Sequence, residues 1–130
     1  MRAPAFSDPG VEAVFEAYPE PLRAALFDLR ALVFETADGP LSESLKWGQP
    51  AYRRPKGGTT VRIDAVKGSA SDYALYVHCQ TSLAATFRDL YGDVLRIESD
   101  RAVLMSVEAP PPREALAHCI ALALAYSGRR

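Results

Sequence analysis

Ser44-Leu45-Lys46-Trp47-Gly48-Gln49-Pro50-Ala51-Tyr52-Arg53-Arg54 holds the only tryptophan of the 130-residue chain and interrupts two patterns that would otherwise continue. Leu45 and Trp47 alternate with Lys46, the two-residue period of a strand, yet Gly48 and Pro50 follow at once and a central strand tolerates neither. A bend or bulge is therefore expected, at an edge or corner of a sheet, where glycine lets a ligand or another backbone approach closely and proline removes a ladder donor. Trp47, Gln49, Tyr52 and Arg53 would then line one rim. The preference of large aromatics for burial favours Trp47 as a core plug with Tyr52 packed on it, hydroxyl in water. The alternative makes the rim the mouth of a pocket.

Outward from this stretch the pattern is that of an α+β domain. Upstream, Val11, Val14, Phe15 and Tyr18 recur at i, i+3, i+4 and i+7, an amphipathic helix capped by Ser7 or Asp8 and stopped by Pro19 and Pro21. A longer helix starts at Pro21, carries Leu22, Ala25, Leu26 and Leu29 on one stripe, and ends at Asp38-Gly39-Pro40. Downstream, residues 60–66 and 73–78 alternate as strands joined by a polar loop, and residues 94–98 and 102–107 form a second hairpin. Between the hairpins Thr81 or Ser82 caps a third helix, closed by a left-handed Gly92.

Pro110-Pro111-Pro112 is a stiff connector to a last helix over 113–126, apolar almost all round and so either deeply buried or facing a second chain; monomer and homodimer both fit. Residues 128–130 should fray. Residues 1–10 read as an arm and 11–127 as a single domain, with an antiparallel sheet of about five strands in sequence order and the helices mostly on one face.

Charge and cysteine content narrow the function classes. Residues 1–45 carry eight acids against three arginines, and residues 46–130 carry twelve bases against eight acids, so the helical layer is expected to be more acidic than the sheet and its loops. No dense basic block suits a nucleic-acid partner, and no apolar run suits a membrane. The first residues lack the apolar segment of a secretory signal, and Cys79 and Cys119 are too few for a disulfide framework, so a cytoplasmic protein with free thiols is expected.

A Leu/Ala/Phe-rich helical stretch, a Gly/Pro turn and then ESLKWGQPAYR at 43–53, with HCQTSLAATFRDLY at 78–91 and HCIALALAY at 118–126, resemble the YdhG-like bacterial family of domains of unknown function. Some of its members are described as frataxin-like intracellular iron chaperones. The likeness runs from about Val11 to Tyr126 and implies a two-layer α+β sandwich with an antiparallel sheet; it carries over no catalytic residue.

Three chemistries fit these residues. The leading one is a non-enzymatic binding domain with a role in metal handling, taking a small molecule or a protein on the rim of Trp47, Gln49, Tyr52 and Arg53. The second is an iron chaperone. Glu12, Glu16 and Glu20, at i, i+4 and i+8, would hold Fe(II) through oxygen, although Pro19 interrupts the row and a solvated face explains it without a ligand. The third is a thiol-dependent enzyme or sensor centred on Cys79 beside His78, just ahead of a helix N-terminus. His78-Cys79 and His118-Cys119 do not have the ligand spacing of a structural zinc site, because adjacent side chains diverge on strands and helices alike.

Overall fold

A computed structural model describes residues 3–126, so residues 1–2 of the arm, the last residue assigned to the domain and the end expected to fray lie outside the description. Asp8 caps α1 (Pro9–Ala17), its carboxylate accepting the Gly10 and Val11 N–H groups. This satisfies two of the four donors that a helix start leaves open. The stripe on α2 (Leu22–Ala37) buries Leu22, Leu26, Leu29 and Val33, and the helix stops at Asp38 in a left-handed conformation (φ 51°).

The remaining elements are β1 (Ser42–Lys46), β2 (Gln49–Arg53), β3 (Val61–Ala65), β4 (Asp72–Tyr76), α3 (Leu83–Tyr91), β5 (Arg96–Glu98), β6 (Ala102–Ser106) and α4 (Arg113–Ala125). The strands form one antiparallel sheet of six in the order β1-β2-β3-β4-β6-β5. The α+β class and the antiparallel sheet are as expected, and three details differ. The central stretch is two strands joined by a tight turn, which supplies the sixth strand. The second hairpin docks in reverse, with β6 beside β4 and β5 at the edge. Ala102, Val103, Leu104 and Met105 are all buried, the mark of an inner strand, whereas short, charged β5 suits an edge. Finally, Gly92 closes α3 with a right-handed φ of −61°; it is held close to the Arg88 carbonyl, where a Cβ would not fit.

One face of the sheet, through Tyr52, Val61, Ile63, Tyr73, Leu75, Val103 and Met105, packs on the helices as the main core. α4 lies on this core, burying Leu116, Cys119, Ile120 and Leu124 and leaving Ala117, Ala121 and Leu122 half-buried. The opposite face carries a separate shallow cluster of Ala74, Ala102 and Leu104 with Val66 and Tyr76. Register places Ser44, Ala51, Arg62, Tyr76, Ala102 and Glu98 in one row across that second face.

A buried ion pair ties the layers together at the hairpin. Arg30 of α2 donates from Nε and Nη2 to the Glu43 carboxylate of β1, and the Tyr52 hydroxyl donates to the same carboxylate at 2.7 Å. The guanidinium lies 3.9 Å from the Phe6 ring centroid and 5.0 Å from that of Phe34. Burial would lower the Arg30 pKa, but its bonds to the Glu43 carboxylate outweigh that and raise it.

Candidate functional site

The turn between β1 and β2 is two residues long, and both have positive φ, 52° at Trp47 and 77° at Gly48. That is the geometry of a type I′ hairpin turn, which favours asparagine or glycine at its first position. A bulky residue held there costs on the order of 1–3 kcal/mol. Burial does not offset the strain, because Trp47 is 79% exposed. Pro50 lies opposite Leu45 in the hairpin, and the β2–β3 register begins only at Ala51. Its missing N–H therefore falls outside the paired stretch.

Arg62, on β3, reaches under the exposed indole. Its guanidinium is 5.0 Å from the Trp47 ring centroid and 5.4 Å from that of Tyr76. Nη1 donates to Gln49 Oε1 at 2.6 Å, and Gln49 Nε2 donates to Asp64 at 3.3 Å. Asp64 also accepts the Tyr18 hydroxyl at 2.7 Å. The carboxylate nearest to Arg62 along this chain is thus engaged by a tyrosine and an amide, and Gln49 stands as a neutral spacer between the two charges. Burial pulls the Arg62 guanidinium below its ordinary pKa, and the Arg101 charge adds to this while Tyr76 opposes it.

Beside this arrangement lies a cavity of about 250 Å³ whose lining includes Lys46, Trp47, Arg53, Arg62 and His78. Gly58, Thr59 and Thr60 complete it, and none of the lining residues is acidic. Among the described residues, none of the ion pairs involves Lys46, Arg53 or Arg62. His78 Nδ1 accepts the Gln80 N–H at 3.0 Å, which leaves the ring proton on Nε2. The wall at Gly58 (φ 76°) is pinned to the last helix: an added Cβ would collide with the Leu124 carbonyl, and Thr59 N–H donates to Ala123 O at 3.2 Å.

Of the four residues assigned to the rim, Trp47 and Arg53 line this cavity and Gln49 braces Arg62 behind it. Tyr52 does not belong to the rim. Strand alternation turns it to the helix face, where it is fully buried against Phe34 with its hydroxyl on Glu43, not in water. The core-plug reading of Trp47 is overturned as well. Lys46, Arg62 and His78 are additional lining residues; the excess of lysine and arginine after residue 45 was the trace that the first two left in the sequence, and His78 left none there.

The other candidates are spread apart. Glu12 and Glu16 are exposed on α1, while Glu20 lies beyond its end, pairing with Arg23 at 3.6 Å. Among the described residues no three His, Cys, Asp or Glu side chains are grouped to hold a metal ion. Cys119 is fully buried and its thiol is pushed up to about 12 by that burial, whereas Cys79 is half-buried. His118 Nδ1 lies 2.6 Å from the Tyr91 hydroxyl. A larger groove of about 650 Å³ runs between α2 and the proline connector, walled mostly by alanine, leucine and proline, with its Arg113 paired to Glu35. Compared with family models, with curated proteins and with solved structures, the chain gives no significant match.

Proposed function

We propose that this protein is a small, non-enzymatic ligand-binding domain of the YdhG-like kind, whose site is the cavity beneath the Trp47 hairpin. The observation that carries the reading is Trp47 itself: an exposed tryptophan in a strained backbone conformation, with an arginine beneath its ring. Strain of this sort persists where surrounding structure holds it, and it concentrates at binding sites. The lining supplies positive charge and an aromatic face, which suit holding a molecule more than transforming it. The resemblance over 43–53 falls on the same hairpin. A cytoplasmic setting fits the two free thiols, and no helix among the described residues is long and apolar enough to cross a membrane. Iron handling draws no support from the placement of Glu12, Glu16 and Glu20.

A fragment library of mixed charge, titrated while tryptophan emission and backbone amide shifts are followed together, tests the reading. Saturable shifts confined to residues 46–49, 53, 58–62 and 78 are expected. Ligands that perturb only the groove beside α2 would overturn it.

A further inference from the structure

We infer that the ligand of the Trp47 cavity is a planar organic anion: a carboxylate or phosphate group seated on Arg62, Arg53 and Lys46, with an attached ring lying on the open face of Trp47. The inference rests on the proposed binding role of that cavity and adds the class of molecule it takes.

Three observations point to negative charge. First, Arg62 is half-buried and, among the described residues, has no carboxylate partner, although Asp64 stands one side chain away. A desolvated guanidinium normally acquires a carboxylate, because its planar fork of donors matches two oxygens at once. Here one Nη1 hydrogen goes to the neutral Gln49 Oε1, and Gln49 turns its amide nitrogen toward Asp64, which keeps the carboxylate off Arg62. Second, Lys46 and Arg53 share the same small cavity without an acid in its lining, so the local field is positive. Third, Thr59 and Thr60 add hydroxyl groups of the kind that complete an oxyanion's hydrogen bonds.

Size and the indole supply the rest of the description. About 250 Å³ is below the volume of a drug-sized pocket, so it admits a charged head group while the body of the ligand stays at the mouth. At the mouth stands Trp47, with Arg62 near one side of its ring and 79% of the residue open to solvent. A flat ring stacked there gains contact without entering the protein.

The test is a set of titrations with ring-matched probes, read by Trp47 emission and amide shifts: phenyl phosphate, benzoate, inorganic phosphate, benzyl alcohol and benzylamine. Phenyl phosphate or benzoate should saturate with shifts at residues 46, 53 and 62, and the preference between them identifies the natural head group. Either should bind at least about tenfold more tightly than inorganic phosphate, the share owed to stacking. Affinity should fall as salt rises. Gln49→Glu, which hands Arg62 a carboxylate, should weaken phenyl phosphate by about tenfold. Arg53→Gln, an exposed change that leaves the core alone, should weaken it several-fold.

Benzylamine or benzyl alcohol binding this cavity as tightly as the anions would overturn the inference and leave the ligand-binding role standing. Inorganic phosphate binding as tightly as phenyl phosphate would overturn the stacked ring. Silence at the hairpin with every probe and every fragment would overturn both readings.

Discussion

Two arginines divide this molecule between them. Arg30 is 3% exposed, grips both oxygens of Glu43, receives the support of Tyr52 on the same carboxylate and sits beside the rings of Phe6 and Phe34. Arg62 also neighbours two rings, Trp47 and Tyr76, but bonds to a neutral amide and borders a cavity lined by other cations. The first guanidinium is complete within the fold. The second has aromatic support and, among the described residues, no counter-charge, and the proposed binding role of Arg62 rests on that difference.

The largest effect that sharpens the contrast is Glu43→Ala. It strands the Arg30 charge in the core and removes the acceptor of Tyr52, so unfolding by urea, followed by far-ultraviolet circular dichroism, should show a loss of about 3–5 kcal/mol. Arg62→Met should change stability by less than about 1 kcal/mol, because a half-exposed cation with a neutral partner contributes little. A loss at Arg62 as large as that at Glu43 would break the comparison and make both arginines structural.

A second test concerns the tyrosines on carboxylates. Burial first, then the Glu43 carboxylate, raises Tyr52, and burial with Asp64 raises Tyr18. Folded-state values above the ordinary one give stability that is fully present below about pH 10 and lost as pH climbs from there toward the raised values. Denaturation midpoints measured from pH 7 to 11 should fall above pH 10. Tyr52→Phe should cost about 1–2 kcal/mol at neutral pH and make that fall shallower; an unchanged alkaline slope would remove Tyr52 from the account.

One effect has the opposite sign. Trp47→Asn creates the Asn-Gly pair that a type I′ turn prefers, so thermal unfolding should show a gain of about 1 kcal/mol while phenyl phosphate binding weakens by about tenfold. A loss of stability would mean that the indole braces the hairpin.

How much of this was legible beforehand depends on which rule was locally in force. A cap at Ser7 or Asp8, the α2 stripe and the alternation of Val61 and Ile63 were legible because each reports a local interaction. The Trp47-Gly48 turn was not, since the residue that chemistry would choose for its first position is absent and a tryptophan conceals the hairpin. Local rules fail in this way where the surrounding structure holds a residue in a conformation that its own propensity disfavours. Strand exchange between β5 and β6 was half visible: Leu104 between Val103 and Met105 marks a strand buried on both faces, but the alternation alone does not. The two arginines were indistinguishable. Leu29-Arg30-Ala31 and Val61-Arg62-Ile63 are both apolar settings, and only the register that brings Glu43 under α2 and Gln49 beside Asp64 decides which one is neutralised.

Gly58 sets a limit on how this protein can change over evolutionary time. Lys46, Arg53 and His78 are exposed, so substitutions there change the charge and polarity of the cavity mouth without disturbing the core. The wall at position 58 has no such latitude, since any side chain there runs into the backbone of Leu124. Substitution can therefore alter the charge at the mouth of this cavity more readily than it can reshape the cavity at that wall.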